Sequence, residues 1–519
     1  MDAKKVIYQY KYCPSITISR LGKAAPNRNE KCAKEVIAGK YGVNPARVEN
    51  LKKAGYDPDV IQSIVNDMVN GVYIQKSDRT NIMMSNEVKS VLQSMQFSLS
   101  KSDIAGSFSI TLFPETTDGE MVFDKLKIMD IVEIYEPTSV NNRADRPVFT
   151  GIIKNKKVSS QVVGDSGARR VTISGTAITG LVSQFLINLD TSAMAITKQY
   201  VNDTSIAKDL TIKNLGKKGL KVKDVVSTIW EYFLKISSQN GTPRIAEYIS
   251  SLIGGIGDIF KFDDSEFFYP LGCIFKGQQT QDFFSVVDGV IPSPVYEKFA
   301  FTDGTGKMRI AIRQCPFDAD KWSGGTAANR YKIENILVKG FDFSKSDNEV
   351  YTVFYAYLQN SPIDENRSLI LSTMEAKQDS VLVDSEKYDT YGYRPLIAHF
   401  IGYTKPDGKE DTESQNKLKE LSEKLKNWYE HLPDMLTGSI TMAMSYQNTI
   451  AIMPGDIVLF LGCEFYVEGI THSWNYGAGG EITISVSRGG KYNNGKFADS
   501  DTQDKLEIGK LSLILEGVK

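Results

Sequence analysis

The period of the apolar residues changes near residue 71, and that change constrains the chain more than any other feature. In residues 31–70, Val36 and Ile37, then Val48 and Leu51, then Val60, Ile61, Ile64, Val65 and Met68 recur at helical spacing. Gly39 and Gly42 separate the first two segments, and Gly55 with Pro58 separates the second from the third. Asn44-Pro45 reads as an N-cap followed by proline at the first helical position. From about Gly71 the period is two. Met95–Leu99, Phe108–Leu112, Ile131–Ile134, Val148–Ile153 and Val171–Ser174 mostly alternate apolar with polar residues, as half-buried antiparallel strands do. Neither pattern suits the other structure, so a small three-helix module precedes a β-rich body.

The organisation expected from these patterns is mainly β with an α+β insertion. An N-terminal extension (1–30), with a strand-like patch at Ile16–Ile18, leads into the three-helix module (31–71). A first antiparallel β-barrel, or a small sandwich, follows (72–185), then an α/β insertion (186–334). The insertion holds expected helices at Val222–Ile236 and Arg244–Leu252 and a strand at Met308–Arg313. Strands return in a second barrel (335–490) at Ile333–Val338, Val350–Tyr357 and Ser380–Val383. They resume at Gly438–Ser445, Ile457–Leu461, Glu464–Ile470 and Glu481–Ser487. A helix at 413–430 interrupts them, with Leu418, Leu421, Leu425 and Trp428 as a narrow seam too short for a free coiled coil. The tail (491–519) is polar apart from Leu511–Leu515.

Chemistry is sparse. The net charge of -2, from 61 Lys plus Arg against 63 Asp plus Glu, argues against electrostatic capture of nucleic acid. Cys13, Cys32, Cys273, Cys315 and Cys463 are odd in number and form no CxxC pair, so neither a disulfide framework nor a zinc site is expected. The first residues lack the apolar core of a signal peptide, and no stretch reaches the roughly 18 apolar residues that span a bilayer. No HExxH, GxSxG or phosphate-loop motif occurs among the 519 residues. Of the three histidines, His472 reads as a structural residue inside a strand. Gly254–Gly257 reads as a helix end, and Asp263, Asp264 and Glu266 as a solvated loop. No catalytic residue, metal or cofactor is expected.

The wording of the strands adds a resemblance. Met129–Ile134, Val148–Ile153 and Val171–Gly175 are similar to the first barrel of long-tailed phage hub proteins. Asp389-Thr390-Tyr391-Gly392-Tyr393-Arg394-Pro395-Leu396 resembles that family's tyrosine–glycine–arginine segment. Pro454–Val458, Phe465–Trp474 and Ser487–Gly490 resemble its final barrel. The resemblance implies a non-enzymatic homotrimeric baseplate ring joining a sixfold tail tube to a threefold spike. Its partners would be the tail tube protein, the spike or central tail-tip protein and other baseplate proteins. The implied location is a virion or tail-like particle assembled in the bacterial cytoplasm, without a membrane span.

A second resemblance is confined to residues 33–70. Val36–Gly42, Arg47, Leu51, Ala54–Asp57, Gln62, Val65 and Asn66 resemble the Cpl-7-type cell-wall-binding repeat of phage lysins. It implies peptidoglycan as a partner and Tyr41, Arg47, Tyr56 and Asp57 as the binding residues, with aromatic faces for sugar rings and charged groups for hydroxyls and carboxylates. The same four residues also suit a tiny core with Arg47 and Asp57 paired or capping a helix. The competing function is a peptidoglycan hydrolase carrying a binding repeat, for which residues 71–519 supply no catalytic cluster.

Overall fold

The computed structural model describes residues 13–22, 28–69, 79–116, 119–136, 145–163, 166–184, 186–188, 226–227, 230, 244–253, 258–262, 280–290, 294–315, 328–333, 338–360, 381–402, 412–444, 452–493 and 496–497. The chain opens with β1 (Ser15–Leu21), α1 (Arg28–Ile37), α2 (Ala46–Lys53) and α3 (Pro58–Val69). There follow β2 (Arg79–Met83), α4 (Ser85–Val91), β3 (Leu92–Ser100), β4 (Asp103–Leu112), α5 (Val122–Lys125), β5 (Ile131–Tyr135), β6 (Phe149–Val163), β7 (Ser166–Ala177) and β8 (Leu186–Asn188). The middle holds α6 (Arg244–Ile253), β9 (Phe260–Phe262), β10 (Thr280–Asp282), α7 (Phe283–Val290), β11 (Tyr296–Thr302) and β12 (Met308–Gln314). The last part runs β13 (Arg330–Lys332), β14 (Val338–Ser344), β15 (Val353–Asn360), β16 (Val381–Val383), α8 (Ser385–Tyr391), β17 (Pro395–Gly402) and α9 (Thr412–Tyr429). Among the described residues it ends with β18 (Leu436–Ala443), β19 (Ile457–Phe460), β20 (Cys463–Asn475), β21 (Gly479–Gly490), β22 (Tyr492–Asn493) and β23 (Lys496–Phe497).

Both period-two regions enter one 13-stranded sheet in the order β14-β18-β21-β20-β3-β4-β7-β6-β5-β1-β2, with β13 and β19 joined at β20. The seam is β20 against β3, antiparallel, with Ile470 opposite Leu99, His472 opposite Phe97 and Trp474 opposite Met95. Each face-in residue of the seam is buried, as strict alternation requires. Among the described residues neither strand set closes on itself as a barrel; the strands form a mainly antiparallel sheet with ends at β14 and β2. The patch at Ile16–Ile18 is not a loose extension. It lies in β1, which bonds to β5 and β2 because Ile16 and Ile18 are fully buried there.

Of the expected strand Ile333–Val338, residues 334–337 lie outside the described set and Val338 opens β14. Two differences from the sequence expectations have simple causes. Asn44 does not cap α2; Pro45 occupies that position without a side-chain bond and the helix starts at Ala46. The helix α4 fell within a polar stretch too short to show a helical period. Cys273, Gly254–Gly257, Asp263, Asp264, Glu266, Leu511–Leu515 and most of Val222–Ile236 lie outside the described residues.

Among the described residues the apolar cores are two. One runs through the whole β-rich body, from Ile16 to Val486, and takes in Leu421, Leu425 and Trp428 of α9, so that seam docks on its own body. The other is small and separate: Cys32, Ala33, Val36, Leu51, Ile61 and Val65, with Tyr41, Tyr56, Ile64 and Met68 against it.

Candidate functional site

Of the four candidate residues of the helical module, Tyr41 and Tyr56 meet, and Tyr41, Tyr56 and Asp57 each have structural partners. Tyr41 and Tyr56 meet edge to face, ring centroids 6.4 Å apart, and both pack on the module core. The Arg28 guanidinium sits 4.6 Å over the Tyr56 ring and donates to the Ala54 carbonyl. Asp57 accepts from the Asp59 amide at 3.0 Å and weakly from the Val60 amide, so it caps α3. Arg47 and Asp57 therefore do not need each other. Arg47 donates through Nε to the Gly42 carbonyl and through Nη1 to Oε1 of Gln62, whose Nε2 donates to Asn66. This Arg47–Gln62–Asn66 row bridges α2 and α3 at the surface and retains donors and acceptors for a polar ligand. Gln62 and Asn66 belong to the repeat pattern, yet their isolated amides gave no sign that they would align with Arg47.

A second cluster lies where the two halves of the sheet meet the β11–β12 hairpin. Glu297 and Arg313 are directly opposite in β11 and β12, and their side chains pair at 2.6 Å. Arg313 also donates to the Gly455 carbonyl at 2.6 Å and to the Tyr466 hydroxyl at 2.9 Å. Tyr466 donates to Glu297 at 2.5 Å, and Lys101, from the β3–β4 turn, reaches Glu297 at 2.7 Å and Glu468 at 3.3 Å. Burial pushes the Glu297 carboxyl up, but the adjoining Lys101 and Arg313 charges win and hold it down to about 2. Desolvation pushes the neighbouring Cys315 thiol up to about 12, which makes it a poor nucleophile. Every charge here is answered by a protein partner and Glu297 and Arg313 are buried, so the cluster joins elements and offers no open acid or base.

Two further buried polar pairs tie segments together. Arg20 of β1 grips Asp130 through two bonds of 2.6 and 2.7 Å, and Asp130 also accepts from the Lys127 amide. His472 Nδ1 lies 2.9 Å from Glu136 while the ring stacks on Phe97 at 4.5 Å, a position inside the seam.

No curated protein matches the chain. Among solved structures it is similar to the 43 kDa tail protein of prophage MuSo2 from Shewanella oneidensis, with 13% identity over 76% of this chain and 94% of that one, at a TM-score of 0.39. It is similar to a tail protein from Neisseria meningitidis MC58, with 11% identity over 79% and 93% and a TM-score of 0.42. The E. coli c3393 protein, described as a component of the type VI secretion system, aligns at 10% identity over 79% and 75% with a TM-score of 0.36. The family comparison is local: residues 30–69, which contain α2, α3 and the Arg47–Gln62–Asn66 row, match the CW_7 repeat.

Proposed function

We propose that the chain is a structural hub of a phage or phage-like tail. Three copies form a ring between a sixfold tube and a threefold spike, each copy contributes its two joined strand sets to that ring, and the CW_7 repeat faces the cell wall. The observation that carries the reading is the placement of the hub-like motifs. Met129–Ile134, Val148–Ile153 and Val171–Gly175 fall on the adjacent strands β5, β6 and β7. Pro454–Val458, Phe465–Trp474 and Ser487–Gly490 fall on or beside the adjacent strands β19, β20 and β21. Motifs far apart in sequence thus form two strand triplets within one sheet. A sheet with two ends is suited to assembly, since an open edge pairs with another chain.

Mass in solution together with particle images tests the ring. A threefold ring of three chains is expected; a stable monomer overturns the reading. Wall contact is tested with the full chain by co-sedimentation with purified peptidoglycan. Retention that falls several-fold in Arg47→Ala is expected, and retention unaffected by this change removes the Arg47 row from the site.

A further inference from the structure

The β6–β7 hairpin continues beyond the sheet. β5 covers β6 only at Phe149–Ile152 and β4 covers β7 only at Val171–Gly175. From Ser159 opposite Arg170 to Val163 opposite Ser166 the two strands bond only to each other among the described residues. A two-stranded ribbon is marginal alone, and this one carries Lys157, Arg169 and Arg170 exposed, none with an ion pair among the described residues, beside a Val158 that is 50% exposed. Lys157 and Arg170 lie diagonally across the two strands, an unfavourable arrangement unless something acidic answers it.

The opposite charge is on the other half of the chain. Asp347, Glu349, Glu386 and Asp389 are exposed and carry no ion pair among the described residues. Tyr388, Tyr391 and Tyr393 stand among them, 40%, 37% and 60% exposed. This face is rigid. Asp384 caps α8 by accepting from the Lys387 amide, and Gly392 ends it at φ +73. Buried Thr352 bonds both the Gly392 carbonyl and the Arg394 amide, and Arg394 binds the Asp347 carbonyl while lying 5.3 Å over Tyr391. Exposed tyrosines on a fixed ledge are the side chains that anchor interfaces, and acids around them select cations.

We infer that the basic β6–β7 arm of one copy docks on the acidic tyrosine face around α8 of the next copy. The inference rests on the ring proposed above and names its contact. Arm and face are different surfaces, so the contact is heterologous and repeats around a closed ring instead of pairing two copies. The alternative role of the arm cations is to keep an open edge from aggregating, which needs no partner.

Charge reversal separates these roles, with the mass of the full chain as readout. Lys157→Glu with Arg169→Glu and Arg170→Glu is expected to convert the ring to monomer. Glu386→Lys with Asp389→Lys is expected to do the same from the other side. A chain carrying both sets is expected to regain the ring, because the charges match again. Far-ultraviolet circular dichroism checks that each exposed-site variant is folded. A ring that survives arm reversal, or a doubly reversed chain that stays monomeric, overturns the arm–face contact and leaves the ring standing. A wild-type chain that is itself a monomer overturns the ring first.

Discussion

Glu297 keeps its charge where burial opposes it, and the consequence is a defined pH response. Its ordinary value of 4.5 falls to about 2 in the folded chain, so its contribution is fully present above 4.5 and is lost as pH drops from there through about 2. Glu297→Gln leaves buried Arg313 without its carboxylate and Lys101 with Glu468 alone, and is expected to cost about 3–5 kcal/mol near neutrality. The gap between wild type and variant should close below pH 4.5 in denaturant melts; a gap constant down to pH 2.5 would count against the assignment. Gly455 has a matching constraint. Its φ is +83, and an added Cβ would lie 2.4 Å from Phe299 and 2.5 Å from Arg313 Nη2. Gly455→Ala should therefore cost more than the roughly 1–3 kcal/mol of a strained backbone alone, read as a lower unfolding midpoint. None of this cluster was legible in the sequence. Lys101 stands in an ordinary Ser-Lys-Ser turn, and Glu297, Arg313 and Tyr466 sit in separate strands, each resembling a surface residue until the strands meet.

Elements were more readable than residues because one strand needs only its own alternation. β4, β5, β12 and β21 announce themselves by period two, and α9 by its leucine seam. The strands whose outer parts are polar were read short. β6 runs ten residues past Ile153, through Lys, Asn, Ser and Gln, because backbone pairing with β7 holds it and no apolar face marks it. The three helices of the repeat were also legible, while the partners of their side chains were not: Tyr41 and Tyr56 pack against the core and Asp57 caps α3. That gives a prediction at this scale. Asp57→Ala removes the cap and should destabilise the repeat by about 0.5–2 kcal/mol, with peptidoglycan retention unchanged at temperatures where the repeat stays folded. Hydrogen exchange at the first amides of α3 would measure it; unchanged protection there would mean the cap does not act in solution.

At the scale of the whole molecule, the pairing of β3 with β20 decides how the chain unfolds. Period two tells which face of a strand is buried but not which strand lies beside it, so this long-range pairing could not be read in advance. With the seam in place, Leu99, Phe97 and Met95 of one half and Ile470, His472 and Trp474 of the other share one ladder and one core. Two independent barrels would melt separately, whereas halves joined through a central strand pair and a common core must lose it together. The repeat has its own core of Cys32, Ala33, Val36, Leu51, Ile61 and Val65, separate from the larger one among the described residues. Calorimetry of the full chain should then show a small transition for the repeat and a single large one for the β-rich body. Phe97→Asp, which places an unpaired charge inside the seam beside His472 and Phe149, should lower the large transition as a whole and leave the small one in place. If this variant instead splits the large transition into two, the halves are separable units and the seam is a contact between them, not the spine of a single fold.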